Sequence, residues 1–118
     1  MSTLFTLHNI QKAPGQFSVQ VSFDPSHAVF AGHFPGQPVV PGVFLVEILS
    51  AAVSGVLGKQ AVVKEALNIK FLQVIDPTAH PTVILEGTIN EDDGGNFSID
   101  ATFRHEELLF AKMKGIHF

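Results

Sequence analysis

An apolar segment covering residues 43–57 constrains the fold more than any other feature of this chain. It contains no proline and a single charged side chain, Glu47, and it lies between Pro41 and Gly58. Proline is favoured at the start of a helix, and glycine is favoured just after its end. The segment is therefore predicted to be a helix. Because it is apolar on nearly every side, the rest of the protein is expected to wrap around it.

On both sides of this helix, apolar and polar residues alternate as they do in strands with one buried face. Residues 27–42 contain Pro35, Pro38 and Pro41, so this stretch is predicted to be irregular, because proline cannot continue a strand ladder. One buried helix with about five or six strands predicts an α+β domain in which an antiparallel sheet curls around the helix. The predicted strands are residues 4–10, 17–23, 67–71, 83–89, 97–104 and 107–115.

Length and composition exclude several classes of protein. The 118 residues show no linker or repeat and are predicted to form one domain, 1–118. The net charge is −4 and Trp and Tyr are absent, so no nucleic-acid surface is expected, although Lys112 and Lys114 could meet an acidic partner protein. Without cysteine, disulfides and thiolate chemistry are excluded. No segment is long enough to span a bilayer and no leader is recognised, so a cytoplasmic protein is expected.

Three residues in or before the helix could carry chemistry. A carboxyl group buried at Glu47 either finds hydrogen-bond donors or stays protonated, and a protonated carboxyl can act as a general acid; alternatively, Glu47 points to solvent. His33 can act as a base near neutral pH, or it is simply hydrogen-bonded within its loop. Gly42 begins the helix, where backbone N–H groups can polarise a carbonyl, or it belongs to an ordinary Pro-Gly turn. The other histidines lack metal-ligand spacing, so no metal site is predicted.

The segment 32–47, GHFPGQPVVPGVFLVE, resembles the motif GHFPxxPxxPGVxxxE of the β-hydroxyacyl-[acyl-carrier-protein] dehydratases and matches all its fixed positions. Lys70-Phe71, Asp76-Pro77 and residues 107–111 resemble later parts of the same family. The family has the hotdog fold, so the resemblance implies that fold here. One departure is Ala51, where the fatty-acid enzymes often carry a glutamine that orients the site.

The resemblance also implies the reaction. His33 would remove the α-proton of a β-hydroxyacyl thioester, Glu47 would protonate the departing β-hydroxyl, and the Gly42 amide would polarise the thioester carbonyl. The product would be the trans-2-enoyl thioester of fatty-acid or related acyl-chain biosynthesis. The substrate would be bound as a thioester to the phosphopantetheine of an acyl-carrier protein or of coenzyme A, and no other cofactor is expected. The expected lining of the acyl site is Phe30, Phe34, Val43, Phe44, Val46 and Phe71.

In this family the histidine and the acid of one active site come from different subunits, so the resemblance implies a homodimer and leaves a trimer of dimers open. An apolar helix that a single curled sheet covers on one side favours a dimer independently. Two alternatives stay open. The first is a hotdog acyl thioesterase, which His33 disfavours because thioester hydrolysis does not need it. The second is a non-catalytic subunit that binds acyl thioesters.

Overall fold

The computed structural model describes residues 4–31 and 39–118. The described strands form one antiparallel sheet in the order β1-β2-β4-β5-β6-β3, with one long helix, so the predicted α+β architecture is confirmed. In chain order, the elements are β1 (Phe5–Ala13), β2 (Gln16–Phe23), α1 (Ala28–Ala31), α2 (Gly42–Leu57), β3 (Glu65–Phe71), β4 (Thr82–Glu91), β5 (Phe97–His105) and β6 (Leu108–His117).

Helix α2 starts and ends close to where the sequence predicts. Pro41 is its N-cap residue, with an extended backbone. Gly58 takes the left-handed conformation at the other end, with φ 71°, and its N–H donates to the Ser54 carbonyl at 2.9 Å. A side chain would be strained at that φ, which is why glycine ends the helix here. No helix in the described ranges combines the length and hydropathy that crossing a membrane requires.

One face of α2 packs against the inner face of the sheet and forms the core with it. The opposite face is not covered, since Glu47 is exposed and Val43 is 67% exposed. The expectation that the rest of the chain wraps the whole helix is therefore wrong for a single chain, because one open sheet can cover one side only. The buried helix residues are Leu45, Ile48, Leu49, Ala52, Val53 and Val56.

The stretch predicted to be irregular contains one helical turn, α1, so the prediction for residues 27–42 is wrong at this point. The turn follows a local hydrogen-bonded bend, in which the Asp24 carboxylate accepts bonds from the Ser26 N–H at 3.0 Å and from the Ser26 hydroxyl. These bonds hold the pKa of Asp24 below its usual range. No proline interrupts residues 26–34, so a helical turn can form there.

The outer face of the sheet is polar and carries a bidentate ion pair between β4 and β5. The Arg104 guanidinium donates from Nε to Glu86 Oε1 at 2.6 Å and from Nη2 to Glu86 Oε2 at 3.2 Å. Hydrogen bonding to Arg104 is the main reason why the pKa of Glu86 lies below its ordinary value. Both side chains are partly exposed, so this pair is a surface bridge of modest stabilising effect.

Ser54 on α2 holds the segment that follows the helix by a hydrogen bond to its backbone. The Ser54 hydroxyl donates to the Ser50 carbonyl at 2.8 Å and accepts the Ala61 N–H at 2.9 Å. Ser54→Ala should lower the free energy of unfolding by about 1–2 kcal/mol, because the Ala61 N–H loses its partner. Urea unfolding followed by circular dichroism measures this change.

Ser50→Ala is the matched control, because Ser50 contributes only its backbone carbonyl to this contact. Both changes replace a half-buried helical serine by alanine, so the gain in helix propensity is the same in each. Equal effects of the two variants would show that the Ser54 hydroxyl does not hold the segment.

Candidate active site

A cavity of about 540 Å³ lies at the N-terminus of α2. This volume falls in the range of small-molecule sites, roughly 300–1,000 Å³. Its walls come from the first turn of α2, from the end of β3 and from the segment that follows β3. All but one of the lining residues that the structure describes are apolar or glycine, which suits an acyl chain. The lining residues are Val40, Gly42, Val43, Leu45, Phe71, Leu72, Gln73, Val74 and Ile75.

Backbone hydrogen bonds fix the segment 72–75 as a wall of this cavity. The N–H groups of Leu72 and Gln73 both donate to the Phe110 carbonyl on β6, at 2.8 and 3.2 Å. The Val40 N–H donates to the Ile75 carbonyl at 2.9 Å, which ties the entrance of α2 to the same segment. The start of the helix and the cavity wall therefore keep a fixed spacing.

Gly42 lies directly beneath the ring of Phe71. A Cβ atom at Gly42 would lie 2.8 Å from Phe71 Cζ and 3.0–3.1 Å from two neighbouring ring carbons. The sequence suggested that the helix start at Gly42 could polarise a carbonyl; the structure adds that the Phe71 ring occupies part of the space beside Gly42. The first N–H groups of a helix have no partner within the helix, so this end of α2 can donate hydrogen bonds to an oxygen.

Glu47 lies one helical turn beyond Val43, on the same uncovered face of α2. Residues four apart in a helix are neighbours on one face, and Val43 lines the cavity, so the backbone of Glu47 lies about 6 Å along the helix axis from that of Val43. Of the two alternatives for Glu47, the single chain shows the exposed one, because the sheet covers the opposite side of the helix.

The remaining predicted lining residues occupy other places. Phe30 is buried in the core with 5% exposure, and Phe44 and Val46 are partly buried against the core; none of the three lines the cavity. His33 and Phe34 lie outside the described residues. The structure therefore brings together Gly42, Val43 and Phe71, with Glu47 alongside.

Sequence reasoning missed the segment 72–75, which supplies four of the nine lining residues in the described ranges. Leu72 is 48% exposed and Val74 is 69% exposed, which is unusual for apolar side chains in a connecting segment. The available signal was this run of apolar residues continuing past the end of the predicted strand, up to the break at Asp76-Pro77.

Among the residues that the structure describes, none that lines the cavity carries an ionisable side chain, so proton transfer there needs a group other than these. Within residues 4–31 and 39–118, no group of three or more His, Cys, Asp or Glu side chains is arranged to hold a metal ion. The expectation of chemistry without a metal stays a prediction.

A double-mutant cycle tests the contact between Gly42 and Phe71. Gly42→Ala should displace the ring from its place over the helix, since overpacking of this kind costs roughly 1–3 kcal/mol. In a Phe71→Ala background this space is empty. There, Gly42→Ala should lower the free energy of unfolding by at least about 1 kcal/mol less than it does in the wild-type background. Urea unfolding of the four proteins at one concentration gives the coupling free energy. A coupling of zero would mean that the two residues do not share this space.

Comparison with known proteins identifies the family. A family model described as ApeI-like, ApeI dehydratase, matches residues 9–113. The chain is 35% identical over 72 residues to the 3-hydroxyacyl-[acyl-carrier-protein] dehydratase FabZ of Latilactobacillus sakei subsp. sakei (strain 23K), with 54% of this chain and 51% of that protein covered. It is 37% identical over 67 residues to FabZ of Wolbachia pipientis wMel, with 51% and 46% covered. The chain thus spans about half the length of these curated relatives.

Solved structures show the same fold. One neighbour is the dehydratase heterocomplex ApeI:P from Xenorhabdus doucetiae, with a TM-score of 0.70, 21% identity and 96% of each chain covered. Another is an uncharacterized protein from Erwinia carotovora subsp. atroseptica, with a TM-score of 0.56, 23% identity and coverage of 99% and 94%. At 21% and 23% sequence identity, the structural similarity shows only that this chain shares the hotdog fold. The family assignment rests on the match across residues 9–113, by which this chain belongs to the ApeI-like dehydratases.

Proposed function

We propose that this protein dehydrates a β-hydroxyacyl thioester to the trans-2-enoyl thioester, with the acyl group carried on the phosphopantetheine of an acyl-carrier protein or coenzyme A. The observation that carries this proposal is the apolar cavity at the N-terminus of α2, with Glu47 on the same face of the helix as the lining residue Val43. Membership of a dehydratase family and the names of the FabZ relatives support it.

In the proposed reaction, the acyl chain lies in the apolar cavity and the thioester carbonyl accepts a hydrogen bond from the Gly42 N–H. An imidazole nitrogen of His33 takes the α-proton, and the electron pair of that C–H bond forms the new double bond. The β-carbon–oxygen bond then breaks, and Glu47 donates a proton to the departing hydroxyl, which leaves as water. The imidazolium and the carboxylate return to their starting forms by proton exchange, so no oxidant or reductant is needed.

The proposal includes a second copy of the chain over the uncovered side of α2. Glu47 is exposed in one chain, and a carboxyl group that meets only water is a poor acid for a thioester in an apolar cavity. Several large apolar side chains are exposed near the same edge of the sheet, which is typical of a protein interface. They are Val43, Leu67, Phe71, Leu72 and Val74.

Strand β3 lies at the edge of the sheet and is self-complementary about Ile69. In an antiparallel pair, residues directly opposite each other point to the same face. Pairing centred on Ile69 places Leu67 opposite Phe71 of the partner subunit, and Asn68 opposite Lys70 of the partner subunit, so apolar meets apolar and polar meets polar.

Two other registers of β3 would place unfavourable pairs of side chains opposite each other. Centring the pair on Asn68 places Glu65 opposite a phenylalanine, and centring it on Lys70 places two lysines opposite each other. Like charges directly opposite destabilise a pair of strands. The sequence of β3 therefore favours a second copy of this chain, in the register centred on Ile69, as the occupant of this edge.

The activity test uses purified protein and a β-hydroxyacyl thioester. We expect the enoyl absorbance to rise with the wild-type protein, and His33→Ala and Glu47→Gln to lower kcat by at least about 100-fold each, since general acids and bases contribute roughly 10²–10⁴-fold. Release of free thiol in place of the enoyl product would indicate a thioesterase, and neither product would indicate a binding subunit. Wild-type turnover in either variant would refute the assigned roles.

Mixing the two inactive variants tests whether a site is shared between subunits. When His33→Ala and Glu47→Gln chains are unfolded and refolded together in equal amounts, half of the dimers are mixed, and each mixed dimer holds one intact site. About a quarter of the wild-type activity should return. If His33 and Glu47 of one site came from the same chain, no activity would return.

The register of β3 can be tested by changing charge at an exposed position. Asn68→Lys places two lysine pairs across the proposed interface and should weaken dimerisation by about 2–10-fold, whereas Asn68→Glu should strengthen it by a similar factor. Sedimentation velocity over a range of protein concentrations measures both. Equal effects of the two variants would contradict the pairing of Asn68 with Lys70 of the partner subunit.

A further inference from the structure

The fold brings together the imidazole rings of His80 and His105, which lie far apart in the chain. The two ring centres are 5.0 Å apart and the ring planes are inclined at 59° to each other. His80 belongs to the segment between the cavity wall and β4, and His105 is the last residue of β5. We call these two residues the histidine pair. Their spacing in the sequence matches no metal-ligand motif, so sequence reasoning passed over them.

The ring nitrogens of the histidine pair bind no other residue in the part of the chain that the structure describes. The His80 ring packs edge-on against the Phe110 ring, with centres 5.3 Å apart, and the backbone N–H of His80 donates to the Asp76 carbonyl at 2.8 Å. His80 is half-buried and His105 is exposed. A neutral imidazole carries one nitrogen lone pair, so each ring keeps an acceptor for a ligand.

The separation of the two rings suits a shared metal ion. Zinc binds an imidazole nitrogen at roughly 2.0–2.1 Å, which places the ring centre about 3.2 Å from the ion. Two rings on one ion, at ligand angles between about 90° and 109°, then have centres roughly 4.5–5.2 Å apart. The observed 5.0 Å lies within this range. Packed rings can show the same separation, and the unengaged nitrogens favour a ligand pair over packing alone.

The charges around the histidine pair favour a cation. Glu106 and Glu107 directly follow one histidine of the pair, and Asp76 precedes the other on the same segment. The positive charge of Arg104 is balanced by its ion pair with Glu86. Among the described residues, no carboxylate forms a group of three ligands with the pair, so water would fill the remaining positions on an ion.

The histidine pair adjoins the residue that anchors the cavity wall. The Phe110 carbonyl accepts the N–H groups of Leu72 and Gln73, and the Phe110 ring packs against His80. An ion bound to both imidazoles would join the segment that follows the wall to the end of β5. The bound ion would therefore restrict motion of the wall from one side.

We propose that His80 and His105 together bind one transition-metal ion of the class that prefers imidazole ligands, and that this ion clamps the segment 76–81 to the turn between β5 and β6. Zn²⁺, Ni²⁺ and Cu²⁺ belong to this class, whereas Mg²⁺ and Ca²⁺ prefer oxygen ligands. With two protein ligands, the site is weaker than a structural zinc site with four. The ion takes no part in the proposed dehydration, so the site does not depend on the proposed function.

Isothermal titration calorimetry of untagged protein with Zn²⁺ tests the site. The wild-type protein should bind one ion per chain. His80→Ala and His105→Ala should each raise the Kd by at least about 10-fold, since loss of even an outer-shell partner of a metal ligand costs roughly 10–100-fold. Because the His105 side chain is exposed, its replacement should leave the protein folded.

His117→Ala is the matched control. His117 is exposed and is the last residue of its strand, as His105 is, but it lies opposite Glu65 and Ser98. This change should leave the Kd for Zn²⁺ as it is in the wild-type protein. Wild-type affinity in both variants of the histidine pair, or an equal loss in the control, would overturn the proposal.

The order of affinities and the NMR spectrum identify the ligand atoms. A pair of imidazoles should bind Cu²⁺ more tightly than Zn²⁺ or Ni²⁺, and should bind Mn²⁺ and Mg²⁺ much more weakly. Zn²⁺ should shift the ring proton resonances of His80 and His105 and leave those of the other histidines in place. Mg²⁺ binding as tight as that of Zn²⁺, or shifts confined to other histidines, would refute the assigned ligands.

Hydrogen exchange and thermal unfolding test the clamp. Saturating Zn²⁺ should slow exchange of the Leu72 and Gln73 amide protons, because both N–H groups donate to Phe110 beside the histidine pair. At a Zn²⁺ concentration 100 times the Kd, the Tm should rise by about 5–15 °C. Neither change should occur in His105→Ala. Binding of the ion without slower exchange would overturn the clamp.

Discussion

The one-sided burial of helix α2 determines most of what this protein can do. The sheet covers one face of the helix completely, as the full burial of Ile48 and Leu49 shows, and leaves the face with Val43 and Glu47 open. The hydrophobic effect favours burial of the open face, because moving apolar surface out of water lowers the free energy. The same open face carries the candidate acid and borders the apolar cavity. Completion of the fold by a partner and completion of the proposed site are therefore linked.

The entrance of α2 shows how closely the fold and the site depend on each other. The Val40 N–H bonds to the Ile75 carbonyl, and the Phe71 ring rests where a side chain at residue 42 would lie. These contacts fix the start of the helix against the end of β3, and the space between them is the cavity. The first turn of the helix thereby lines an apolar pocket, where a hydrogen bond from a backbone N–H to a carbonyl oxygen is stronger than it would be in water.

The two faces of the sheet differ in chemical character. The inner face builds the core and one wall of the cavity, whereas the outer face is polar and places Lys70 opposite Lys112. Because side chains alternate along a strand, the single strand β3 contributes Phe71 to the cavity and Lys70 to the outer face.

Local patterns were enough to predict the helix, its end at Gly58 and the strand-rich remainder. They work because proline, glycine and two-residue alternation act through nearest neighbours in the chain. The spacing of the prolines did not predict the helical turn α1, which follows the bend where the Asp24 side chain accepts bonds from Ser26. Nor could local patterns predict that Phe44 and Val46 pack against the core whereas Val74 lines the cavity.

The sequence by itself determined the helix, the alternation of the strands and the spacing of the candidate acid from the start of the helix. Only the tertiary structure decided which face of α2 is covered, that Phe71 lies over Gly42, and that β3 is an edge strand with its lysine opposite that of β6. The physical reason is that strand order and register bring together residues far apart in the chain, and no local preference encodes those distances.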